Sequence, residues 1–496
     1  MDEPTPSRIG KVVSLALPIA AAFIVVYVWW PRSEKPKAQD TPTSAEVPAF
    51  KESPPDHDLP AGHPGANDSG SLLQQMGQDR PGDQTDLSGA VASNKQLEDQ
   101  YSTIAENQAQ VNQLRNAAAA AAQAKKMEEM KQDVERGKPL VSLLNVRLSA
   151  FEKDLTSARK ARPDDPVVQW LTGELLIMVG GEPESVLPYL NRAVSARLER
   201  PHLFVSLATV EYDLNHFQQA YAAAAKAVSL DPHGQGAWEI YARAGFAVER
   251  FVEVLQKIGQ AFPGDTPVWP SAVRRHAVQL QKAWLGELTQ RQRDQRQGDL
   301  PVVRLVVEHR KFNAASVQAA GRGNVEIELF EDQAPATVSN FIHLLETGFY
   351  DGTSFYWAEA GHMVVGGDPN TKNADPADDG VGGPGYVIPD EYNLPRARGH
   401  FRGTISTVQN GPGRTGSQFF ISLVAAPEFD GNSTAFGRVI RGQDVLDQVT
   451  EGRTNREVGE FGKIIPGDLI VHAEVVRKRP HPYVVTKLSS TNSKRP

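Results

Sequence analysis

Few clusters in this chain combine the residue types and spacings that chemistry needs. The 496 residues include no cysteine, which excludes disulfides, thiolate metal sites and cysteine nucleophiles. His57 and His63 lie in a stretch rich in Pro, Gly and Asp and do not read as a metal site. No metal and no cofactor is expected. Gly380 to Gly385 has the composition of a phosphate loop, but it lacks a strand before it and a helix after it. The Arg/Gln-rich run Gln290 to Gln297 reads as the solvated face of a helix. A net charge of -8 and a pI of about 5.9 leave no basic face for nucleic acid.

The remaining candidates fall between Trp357 and Ser433, so the elements that position them lie in the C-terminal third. Val302 to Val307 is β-branched and apolar. Asn324 to Phe330 alternates, with Val325, Ile327 and Leu329 on one face. Pro335 to Glu346 is helical, with Val338, Phe341, Ile342 and Leu345 on one side. Thr404 to Ser406, Phe419 to Ile421 and Leu469 to Val476 read as further strands between Gly-rich turns. The pattern predicts a closed antiparallel β-barrel with capping helices.

Asn324 to Phe330 followed by Ala334 to Phe341 resembles the opening of cyclophilins. Phe349 to Thr353 with Gly366-Gly367-Asp368-Pro369 is similar to their central segment, and Gly383 to Tyr386 with Asp390-Glu391-Tyr392 to the loop that follows. Gly403 to Ser406, Gly416 to Ile421, Phe429-Asp430-Gly431 and Phe436-Gly437 complete the resemblance, which spans 301–485. It implies a peptidyl-prolyl cis-trans isomerase. The uncatalysed rotation faces a barrier of ~18–20 kcal/mol because the amide is conjugated. The site need only favour the twisted imide over the planar one.

The resemblance also implies roles for residues. Phe420, Met363 and Phe429 form the pocket for the proline ring, and Gln418 holds the peptide. Trp357 stands at the position of the family's catalytic arginine. His362 takes the place of a pocket phenylalanine, and Val365 that of a glutamine. Gln409 occupies the backbone-holding asparagine position, and Ser433 the pocket-edge histidine position. Trp357 offers one neutral N–H, whereas a charge-assisted hydrogen bond contributes ~1.5–3 kcal/mol. Catalysis is therefore expected to be attenuated, unless Arg402, Arg414 or Arg438 reaches the pocket.

Upstream, Val12 to Trp30 is an uncharged run of 19 residues, about 28 Å as a helix and close to a bilayer core. It reads as a single transmembrane anchor, with the N-terminus inside because the tail of 1–11 is short. The soluble part is then extracytoplasmic. Residues 31–86 read as a disordered linker. Residues 87–139 read as one long helix, with Leu97, Tyr101, Ile104, Gln108 and Val111 at helical spacing. A coiled-coil seam there is weakened by Gln108 and Arg115.

Across 140–298 an internal repeat links Trp170, Phe204 and Trp238 at steps of 34. The same step links Val186, Ala220 and Val254; Leu190, Ala224 and Ile258; and Ala193, Ala227 and Ala261. This period predicts an all-α, tetratricopeptide-like solenoid. Residues 486–496 read as a flexible tail.

The expected protein is a membrane-anchored isomerase that acts on proline-containing polypeptides, with a protein partner on the repeats. Two alternatives stand beside it. One is a degenerate scaffold that binds proline-containing or other protein segments. The other gives function to the repeats alone.

Overall fold

The computed structural model describes residues 87–124, 126–263, 268–312, 317–373, 378–409, 415–449 and 467–488. The chain divides into two compact units, Met1–Phe151 and Glu152–Pro496. In place of one long helix over 87–139 there are two, α1 (Leu87–Gln123) and α2 (Met127–Ala161). The second runs through Pro139 without ending there.

The expected single-pass membrane placement requires correction. Among the described residues no helix is long and apolar enough to cross a membrane. The run Val12 to Trp30 and the linker after it lie outside the described residues.

Within the second unit, six short helices form three successive hairpins. These are α3 (Pro166–Met178) with α4 (Pro183–Ser195), α5 (Pro201–Asp213) with α6 (Phe217–Leu230), and α7 (Gln235–Ala247) with α8 (Phe251–Ala261). Sequence punctuates them. Asp165 caps α3 by accepting from the backbone of Val167 and Val168, with Pro166 in the first helical position. The positions spaced by 34 are the packing positions: Trp170, Phe204 and Trp238 are buried, and so are Val186, Ala220 and Val254. The long helix α9 (Val268–Gln297) follows.

The β-region is one eight-stranded antiparallel sheet in the order β3-β4-β6-β5-β7-β2-β1-β8. Its strands are β1 (Val302–Phe312), β2 (Val317–Leu329), β3 (Trp357–Glu359), β4 (Met363–Gly366), β5 (Thr404–Gln409), β6 (Thr415–Ser422), β7 (Ala435–Arg441) and β8 (Leu469–Arg477). Helix α10 (Pro335–Glu346) covers the core through Phe341, whose ring lies 5.1 Å from Tyr350 and 5.1 Å from Phe436. A short helix, α11 (Gln443–Asp447), follows β7.

The barrel is open rather than closed. Among the described residues no ladder joins β3 to β8. The gap is spanned by one bridge, Ser354 with Leu469, and by main-chain bonds such as Ile470 N to Thr353 O at 2.7 Å. The chain before β3 is too irregular there to pair over a strand's length.

The helical hairpins pack on the β-domain. Phe217 and Phe251, again 34 residues apart, begin α6 and α8. The Arg402 guanidinium lies 4.8 Å over the Phe217 ring. Phe401 meets Phe251 at 6.3 Å and Trp284 at 4.9 Å. Phe251, Leu280, Phe401 and Ala425 form one buried cluster. The partner seen on this edge of the hairpins is thus the chain's own β-domain.

An ion-pair cluster accompanies the apolar contact. Arg398, buried, donates to Glu287 at 2.7 and 2.8 Å and to Asp294 at 2.9 Å. Burial alone would push the Glu287 carboxyl up; Arg398 and Arg291 outweigh it and hold it below its usual range. Removing one partner from such a cluster leaves an uncompensated buried charge, at a cost of ~3–5 kcal/mol. Arg398→Met should therefore destabilise the chain by about that much in denaturant melts. A loss under about 1 kcal/mol would show that the cluster is solvated.

Candidate active site

The strand register assembles the site. Trp357 pairs with Val365, Val365 with Phe420, and Phe420 with Ser406, so four strands contribute to one cross-strand row. The neighbouring row, Ala358, Val364, Ile421 and Ile405, is buried and belongs to the barrel core. Successive residues of a strand point to opposite faces, which separates pocket from core.

Phe420 and Val365 pack with Tyr356 into an apolar cluster, flanked by the partly buried Met363, Val408 and Phe429. Three of the residues implied as the proline pocket, Phe420, Met363 and Phe429, therefore do meet. Phe429 comes from a short 3-10 turn, Pro427–Phe429, and its ring lies 4.7 Å from that of Phe420. Ser433 is buried just beyond, its amide donating to Phe429 O.

Two histidines close the ends of this aromatic array. His362 stacks on Phe429 at 5.8 Å and 21°. His400 stacks on Phe420 at 5.7 Å and 16°. Each is oriented by carboxylates. His362 Nδ1 is 3.0 Å from Glu359 and its Nε2 is 3.0 Å from Glu428. His400 Nδ1 is 2.8 Å from Asp430, and its Nε2 is 2.9 Å from Ser406 Oγ. Ser406, His400 and Asp430 have the connectivity of a nucleophilic triad, but Ser406 is 0% exposed and no substrate carbonyl can approach its hydroxyl. Held between Asp430 and Ser406, the His400 ring lies stacked against Phe420.

Gln418 is buried and fully engaged. It accepts from the Tyr356 hydroxyl at 2.7 Å and donates to Gly382 O at 2.8 Å and to Asp368 at 3.3 Å. Burial pushes the Tyr356 phenol up, so it remains a neutral donor. The Gly-rich stretch from Gly380 is thereby tied to the pocket through Gly382. Gln409 ends β5, and its Nε2 has no partner among the described residues.

Trp357 is 48% exposed at the sheet edge. Neither described substitute arginine serves the pocket. Arg402 pairs with Asp447 at 2.5 Å and donates to Leu423 O. Arg438 pairs with Glu328 at 2.7 Å. Arg414 lies outside the described residues.

Glu359, Glu428, His400 and Asp430 escaped the sequence reading. Asp430 follows Phe429 in the Phe-Asp-Gly motif, but its partner His400 is 30 residues away with no periodic signal.

The family model for cyclophilin type peptidyl-prolyl cis-trans isomerase/CLD matches residues 314–475. A peptidyl-prolyl cis-trans isomerase of Helicobacter pylori is 39% identical over 133 residues, which is 26% of this chain and 77% of that protein. The chain belongs to the cyclophilin-type peptidyl-prolyl cis-trans isomerases. A peptidyl-prolyl cis-trans isomerase of Arabidopsis thaliana is 34% identical over 30% of this chain and 91% of its own length. A solved cyclophilin-type isomerase of Cryptosporidium parvum aligns at 26% identity over 36% of this chain and 99% of that one, with a TM-score of 0.28. The family match falls within the β-domain.

The buried imidazole gives this cyclophilin domain a defined pH response. Burial by itself would lower the pKa of His362, but Glu359 and Glu428 outweigh it and push it up to about 9 from 6.5. Its stabilisation is complete below pH 6.5 and is lost as pH rises toward 9. Unfolding free energy should fall by roughly 2–4 kcal/mol across that window. His362→Phe should flatten the slope, measured by denaturant titration at both ends. An identical slope in the variant would place the titration elsewhere.

Proposed function

We propose that this cyclophilin domain is a low-turnover prolyl isomerase for extended polypeptides in protein folding, carried on tetratricopeptide-like hairpins. The observation that carries the reading is the braced apolar seat of Phe420, Met363 and Phe429. A proline ring entering it exchanges water for packed aromatic surface, at about 25 cal/mol per Å² of apolar area buried. That seat fixes the ring while the rest of the peptide rotates about the imide bond.

Rotation is favoured to the extent that the site prefers the twisted imide. Twisting breaks conjugation and makes the nitrogen a better acceptor. Trp357 meets it with a neutral N–H where the family resemblance implies a guanidinium. A neutral donor stabilises the twisted state less, by about half the strength of a charge-assisted one. Gln409 is assigned to the substrate backbone, as the family resemblance implies. Gln418 is assigned to hold the Gly-rich segment against the pocket.

A second reading, a scaffold that binds proline segments without turnover, is favoured by the commitment of Arg402 and Arg438 elsewhere. A protease-coupled assay with a proline peptide on the full chain separates the two. Weak acceleration by the parent is expected, abolished in Phe420→Ala. Trp357→Arg alone should raise turnover about ten- to a hundredfold. The exposure of Trp357 makes that change cheap, whereas Val365→Gln would bury an amide in the apolar cluster. Peptide binding without turnover in both parent and Trp357→Arg would establish the scaffold instead.

A further inference from the structure

The β3–β4 hairpin carries Trp357, His362, Met363 and Val365, yet it is the least supported part of the sheet. Its strands have three and four residues, and β3 is a sheet edge. Short edge strands open easily unless something else holds them. Here the holder comes from the helices. The Gly361 amide in the β3–β4 turn donates to Asn215 Oδ1 at 2.6 Å, and Gly361 O accepts from the Tyr212 hydroxyl at 3.3 Å. Asn215 Nδ2 donates to Asp447 O at 3.1 Å, on α11. The amide orientation is unambiguous, because an N–H can only donate and a carbonyl oxygen can only accept. One buried carboxamide therefore ties the end of α5, the turn at the pocket and the helix after β7.

We infer that Asn215 and Tyr212 are positioning residues for the isomerase site, so that the helical hairpins set the geometry of the β3–β4 turn. The inference rests on the reading of this pocket as the site of turnover.

Three observations separate this from an ordinary helix end. Asn215 has a φ of +59° after α5, with His216 N bonding Glu211 O and Asn215 N bonding Tyr212 O. That turn requires only a left-handed residue, and glycine would serve it. The equivalent turn 34 residues later has Glu249 at a φ of +60°, so the backbone does not dictate asparagine. Gly361, at a φ of +67°, has the Tyr212 ring where a Cβ would stand. Turn and clamp are therefore fitted to each other from both sides.

Asn215→Gly in the full chain tests this, because it keeps the left-handed turn and removes only the carboxamide. The melting temperature should stay near that of the parent. Amide exchange at Gly361 should accelerate while β5 and β6 remain protected. The ratio kcat/KM should fall about two- to tenfold, the range expected for one lost hydrogen bond. Asn215→Asp, which keeps an acceptor for Gly361 N, should recover part of the loss. Tyr212→Phe should lower kcat/KM in the same direction, and it serves as the second variant if Asn215→Gly folds poorly. Faster exchange at Gly361 with unchanged kcat/KM would overturn the inference. If the parent has no turnover, the isomerase reading fails on its own. The clamp is then judged by affinity for the same proline peptide, and equal affinity in parent and Asn215→Gly would overturn it.

Discussion

The arrangement depends on one contact, the seating of the Phe401-Arg402 step of the β-domain on the first residues of α6 and α8. Phe217 lies under Arg402, and Phe251 meets Phe401. Because the two phenylalanines occupy equivalent places in consecutive hairpins, the docking edge is a product of the repeat itself. Once this edge is seated, Arg398 reaches Glu287 and Asp294, and Asn215 reaches Gly361. Apolar burial supplies most of the driving force, and the polar contacts fix the register.

The pocket follows from that constraint. Its floor is an aromatic series, His362, Phe429, Phe420 and His400, with both histidines locked by carboxylates. Such a floor is rigid and apolar in its middle, and its fixed charge lies outside the seat. Beside it, at the sheet edge, stands the exposed indole of Trp357.

Much of this was legible in the sequence, for identifiable reasons. The helix Pro335–Glu346 has the bounds that its apolar spacing predicts, and the step of 34 marks buried positions in all three hairpins. Periodicity and ordered motifs report local structure and packing faces. They do not report pairs. His362 and Glu428 are 66 residues apart, and Arg398 and Glu287 are 111 apart; nothing in either segment announces the other. The strands β3 and β4 were missed because three or four residues are too few to show alternation. One signal was available and unused: Phe217 and Phe251 share the repeat's step and are too bulky for a solvated turn. The membrane placement failed differently, because it rested on one apolar run outside the described residues.

The claim that hairpins and isomerase domain are one physical unit can be tested without reference to activity. Native-state hydrogen exchange on the full chain, followed over increasing denaturant, gives an opening free energy for each amide. The protected amides of α5 to α8 and those of β4 to β7 should converge on one common opening. Hairpin amides that exchange through a separate, lower-energy opening, while the sheet stays closed, would contradict it.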